Sequence, residues 1–163
     1  MADHYPAEIH IGGPIKRSVI DELVKQIVAT GVSLNGYCEI SVTDESAREA
    51  LKEGSIIDLF DDRARYGRFD ELEKFLVRHR IHFDLHCDAY SEYNGENVYY
   101  RGDQRVLSLT ASQEGDILIR HEDVMNILNN KDLDDHGKLE ALIKLIVPPE
   151  TKPLEPIRFR DSS

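Results

Sequence analysis

At 163 residues the chain has the length of one domain with a single core, and 40% hydrophobic with 31% charged residues exclude wholesale disorder. Its 20 Lys and Arg against 31 Asp and Glu give a formal net charge of -11, which repels a phosphate backbone and argues against nucleic acid as a partner. No run approaches the ~18 apolar residues of a membrane span, and the opening Met1-Ala2-Asp3-His4-Tyr5-Pro6 lacks the basic and apolar regions of a signal peptide, so a cytoplasmic protein is expected.

Ala7-Glu8-Ile9-His10-Ile11 alternates as a strand with Ala7, Ile9 and Ile11 inward, and Gly12-Gly13-Pro14 turns the chain. Ile20, Leu23, Val24, Ile27 and Val28 then repeat at helical spacing, with Ser18 as N-cap and Gly31 at the C′ position. Tyr37 to Val42 reads as a second strand, and Thr43 or Asp44 caps a short helix carrying Ala47, Ala50 and Leu51. Ser55 to Phe60 is continuously apolar enough for a central strand, followed by a charged loop over 61–68 and a helix with Phe69, Leu72, Phe75 and Leu76 on one side.

Residues 81–90 alternate most clearly: Ile81, Phe83, Leu85, Cys87 and Ala89 point one way and His82, Asp84, His86, Asp88 and Tyr90 the other. Asn94-Gly95 signals a hairpin to a strand over 97–101, with further strands over 105–111 and 116–120. Two helices follow, one near 122–129 with Val124, Ile127 and Leu128 at helical spacing, the other over 135–147 with Leu139, Leu142, Ile143 and Ile146. Pro148-Pro149 ends the last helix, and Pro153 and Pro156 keep the segment extended.

This succession predicts an α+β fold: one domain over 1–147, a two-layer α/β sandwich whose mixed sheet of about five to seven strands is packed by helices mainly on one face, and an extended tail over 148–163. The opposite face, holding Glu8, His10, Glu39, His82, Asp84, His86 and Asp88, is left open or covered by a partner. Cys38 and Cys87 fall on apolar phases and read as reduced core residues.

Imidazole and carboxylate are good donors for a divalent metal, so His82, Asp84, His86 and His10 form a candidate metal set on that face, although no motif of fixed ligand spacing is present and no cofactor is required. Gly12, Gly13, Lys16, Arg17 and Ser18, between a strand and a helix, are candidate anion-binding residues without the spacing of a phosphate-loop motif. Asp132-Leu133-Asp134-Asp135-His136-Gly137 opens like a calcium loop, but the bidentate acid at position 12 is replaced by Ile143. No G-x-S-x-G elbow occurs, and neither cysteine is placed as a nucleophile. Tyr90, Tyr93, Tyr99 and Tyr100 cluster around the expected hairpin and offer amphipathic contact area to a protein partner. The expected function is therefore a non-catalytic interaction module that self-associates or binds a basic protein. The alternative is a metal-dependent enzyme built on the polar face of 81–90.

Overall fold

A computed structural model describes residues 4–34, 41–89, 93–103, 105–114, 116–147 and 150–161. Its centre is β1 (His4–Gly12), the longest alternating strand, which pairs antiparallel with β4 (Ile57–Arg65) on one side and β5 (His82–Cys87) on the other. Adding β3 (Ser33–Leu34), β6 (Gly95–Tyr100) and β7 (Leu107–Ala111) completes a six-stranded sheet in the order β3-β4-β1-β5-β6-β7. Parallel pairing is confined to a separate pair, β2 (Pro14–Lys16) with β8 (Arg158–Arg160). Pro6 falls where the β1–β4 register shifts between Tyr5 and Ala7, a bulge that accommodates a residue with no amide to donate.

Three helices pack on one face. Helix α1 (Ile20–Thr30) buries Leu23, Val24 and Ile27 and stops at Gly31, whose φ of 71° is the left-handed conformation expected of a C′ glycine. Helix α2 (Asp44–Lys52) starts in a capping box between Thr43 and Ser46 and buries Ala47 and Leu51. Helix α3 (Asp70–Arg78) buries Leu72, Phe75 and Leu76. These side chains join Ile9, Ile11, Leu59, Phe83, Leu85 and Val98 of the sheet in one core.

Glu73 of α3 is buried beside that core, at 6% exposure, one of three polar residues so buried among the described ones, with Ser33 and Arg101. It accepts from the Phe69 amide (2.9 Å) and from Arg68 Nε (3.0 Å), and Arg68 Nη1 reaches on to Glu96 of β6 (2.8 Å). The start of α3 is thereby tied to the sheet by charge as well as by packing.

Several expectations are corrected. The loop expected over 61–68 is strand as far as Arg65, because His4, Tyr5 and Ala7 of β1 pair with Arg65, Ala64 and Asp61. Asn94-Gly95 is not a two-residue turn: Gly95 already lies in β6 opposite Ala111, and a Cβ there would come 2.8 Å from the Cys87 carbonyl. The strand expected over 116–120 is reduced to a bridge between Ile117 and Ala111. Of the strand expected over 37–42, residues 37–40, with Cys38 and Glu39, lie outside the described residues, while Ser41 bridges Ser33 and Val42 N donates to Val32 O (2.7 Å).

Residues 150–161 run extended across the end of the sheet. Gly13 N donates to Glu155 O (2.7 Å), Arg158 N donates to Gly13 O (2.9 Å), and Ile157 is buried in the core. Among the described residues, no helix is long and apolar enough to cross a membrane.

Candidate functional site

The face of the sheet turned away from α1–α3 holds two rows of side chains set by the strand register. One runs Asp58, His10, Asp84, Tyr99, Leu107; the next runs Phe60, Glu8, His86, Asn97, Leu109. The face thus grades from charged at β4, β1 and β5 to apolar at β7.

Within it the candidate metal donors separate into local pairs. His10 Nδ1 lies 2.6 Å from Asp58 Oδ1, with Glu8 at 3.7 Å from the other ring nitrogen. Asp84 takes both Nη1 (2.5 Å) and Nη2 (3.1 Å) of Arg101, whose side chain is 6% exposed and also donates to the carbonyls of Phe83, Tyr100 and Lys152. A carboxylate held in this way by a buried guanidinium has its charge already paired. His86 faces Asn97 Oδ1 (2.6 Å) and Asp88 Oδ1 (2.9 Å), acceptors that both ring nitrogens satisfy only as an imidazolium. Burial opposes that charge, but the hydrogen bonds to Asn97 and Asp88 and the nearby carboxylates outweigh it, raising the His86 pKa above its usual value.

His82 stands apart, wedged between Gly13 and Gly102, where a Cβ on either glycine would meet its ring at 2.6 or 2.7 Å. Burial, then the charge of Arg101, lowers its pKa. Among the described residues, no three His, Cys, Asp or Glu side chains converge as a metal would need.

The tyrosines do not form one patch either. Tyr100 is buried and donates to carbonyls of Val77 and Gly102, Tyr99 sits on the opposite face, and the Tyr93 ring packs tilted against Tyr5, centroids 5.4 Å apart. Adjacent strand residues alternate faces, so Tyr99 and Tyr100 serve different surfaces. Tyr90 lies outside the described residues.

In the glycine turn the amide of Gly13 is occupied by Glu155 O, and the same carbonyl lies 2.3 Å from where a Gly12 Cβ would stand. Arg17 pairs with Asp161 (3.3 Å) and lies over the Phe159 ring, Ser18 is exposed, and Lys16 lines a cavity. Asp134, in the calcium-loop-like stretch, caps the following helix by accepting from Gly137 N (2.8 Å).

A surface the sequence did not foretell is carried by α4 (His121–Leu128) and α5 (Asp135–Ile146). Neither helix has a buried residue, and none of their side chains belongs to or packs against the core. The helical spacing in α5 is as expected, but Leu139, Ile143 and Ile146 of its apolar face are 56%, 50% and 56% exposed. Leu118, Met125, Leu128 and Val147 add to the exposed apolar surface. The spacing alone would have located this stripe; only the packing shows that nothing in the described chain covers it.

No protein-family model matches the chain, and neither a curated protein nor a solved structure matches it.

Proposed function

We propose that this chain is an interaction module that pairs with a second copy of itself through the outer surface of the α4–α5 hairpin. The observation behind this reading is the exposed stripe Leu139, Ile143, Ile146 on a helix with no buried face. A stable helix in water draws most of its stability from packing its apolar face.

Area and charge favour a second copy over a basic partner. Seven large apolar residues from Leu118 to Val147 are 38–59% exposed. At roughly 180 Å² for a fully exposed residue this leaves roughly 600 Å² per chain, the upper end of what a monomer shows. Two such surfaces covering each other remove about 1,200 Å², the threshold of a stable specific interface. Within a chain of net charge -11, α5 balances Asp135 and Glu140 with Lys138 and Lys144, so the repulsion between two copies comes mainly from Glu122 and Asp123 of α4 and is weaker along α5 than over the rest of the chain.

Light scattering after size exclusion at tens of micromolar tests the reading. The expected mass is that of a dimer, falling to a monomer in Ile143→Asp with unchanged circular dichroism, because Ile143 is half exposed before association. A monomeric native chain overturns it.

A further inference from the structure

The acidic chain gathers six of its 20 Lys and Arg side chains at one corner, on elements other than α4 and α5. Two adjoining cavities meet there, about 390 and 350 Å³, sharing Pro14, Arg80 and Arg160. The larger is lined by Arg80, Arg101, Lys152 and Arg160 against two carboxylates, Asp103 and Glu155. The smaller has Lys16, Arg78, Arg80 and Arg160 with His79 and no carboxylate.

The fold accounts for some of these cations. Arg101 is neutralised by Asp84, and Arg78 favourably ends α3. It does not account for the others. Among the described residues, Lys16, Arg80, Lys152 and Arg160 form no ion pair. Lys16 and Arg160 are direct register partners between β2 and β8, a like-charge juxtaposition that opposes the pairing. Arg80 holds a left-handed φ of 55°, uncommon for a side-chain-bearing residue, at the waist between the cavities. His82, clamped between two glycines, gives the larger cavity a rigid wall.

We infer that this cleft binds a small molecule carrying two phosphate groups, one in each cavity, with Arg80 and Arg160 between them. Each cavity is of ligand size, and the lining sets charged hydrogen-bond donors beside apolar surface, which suits a phosphorylated organic body. A long nucleic acid is disfavoured because the rest of the surface is strongly acidic. A bound anion would relieve the Lys16–Arg160 repulsion and help hold β8 against β2.

Titration calorimetry at fixed ionic strength, with sodium pyrophosphate and orthophosphate as probes, tests this directly. Pyrophosphate is expected to bind, and more tightly than orthophosphate. Arg80→Ala and Arg160→Ala should each weaken it about tenfold by removing a charge-assisted contact, whereas Arg120→Ala, paired with Asp123 outside the cleft, should not. Both cleft side chains are exposed, so neither variant should lose stability without anion, Arg160→Ala if anything gaining from the relieved repulsion with Lys16, and Lys16→Ala provides a third variant. Absence of binding at millimolar pyrophosphate, equal weakening by Arg120→Ala, or binding of a single-stranded oligonucleotide but not pyrophosphate would each overturn the inference.

Discussion

Replacing Glu73 tests whether the buried charge at the start of α3 stabilises the fold as its geometry implies. In Glu73→Ala the Phe69 amide, in a residue 5% exposed, loses its acceptor. Leaving a buried donor unsatisfied costs about 1–3 kcal/mol. The guanidinium of Arg68 loses two charge-assisted bonds but keeps Glu96, and at 28% exposure water replaces part of the loss, adding about 1 kcal/mol. The sum is about 3 kcal/mol for Ala. Glu73→Gln keeps an oxygen for the Phe69 amide and should cost about half as much. Urea unfolding followed by circular dichroism measures both, with an unchanged slope indicating that compactness is preserved. The double variant Arg68→Met, Glu73→Leu should recover only the part due to Arg68, about 1 kcal/mol, since it removes the unpaired charge but leaves the Phe69 amide without its acceptor. Loss below about 1 kcal/mol in Glu73→Ala, or equal losses for Ala and Gln, would refute the assignment of Glu73 as acceptor for the amide.

Gly67 has a φ of 64°, and a Cβ there would stand 2.0 Å from Cys87 Sγ, so Gly67→Ala should destabilise by more than about 3 kcal/mol in urea unfolding, with partial recovery on adding Cys87→Ala. The Cys87 thiol, pushed up to about 11 by burial and then by Glu96 and Asp88, should resist alkylation at pH 8 until the chain unfolds, as mass spectrometry would register. The two histidines of β5 should respond to pH with opposite signs. For His86 the folded pKa is raised, so its contribution is complete below the unfolded value of about 6.5 and disappears as pH rises through the folded one; His86→Gln should lose stability only on the acid side. For His82 the folded pKa is lowered, so protonation below about 6.5 destabilises the native chain, and His82→Gln should lack that acid-side decline in thermal unfolding.

The elements legible in the sequence are those whose own side chains state a preference. Leu23, Val24 and Ile27 on α1 and Phe83, Leu85 and Cys87 on β5 announce period and face together, and both are buried as their spacing requires. The second half of β4 was not legible, because Asp61-Asp62-Arg63-Ala64-Arg65 contains one inward apolar residue and is strand by virtue of its pairing with β1. In α5 the stripe was visible but its surroundings were not: amphipathicity shows that a face needs cover, while cover depends on distant residues. Donor types on the polar face were legible too. Their division into His10 with Asp58, Asp84 with Arg101 and His86 with Asn97 depends on which strands are neighbours. Of the basic corner only Lys16 was legible, as a candidate anion ligand; the other cations, drawn from Arg78 to Arg160, are brought to it by the fold.

The parallel pair β2–β8 also imposes an order on synthesis. Residues 14–16 leave the ribosome roughly 140 residues ahead of their partner strand, which at about 5–20 residues per second is a delay of roughly 7–30 s. Throughout that interval β2 presents an unpaired edge, Ile15 lacks the neighbour Phe159, and the Gly13 amide has no acceptor from Glu155. The main sheet can assemble from residues already translated while this corner stays unfinished. A nascent chain stalled before residue 150 would therefore carry its six-stranded sheet and an open seam beside it, a ready place for a chaperone to hold.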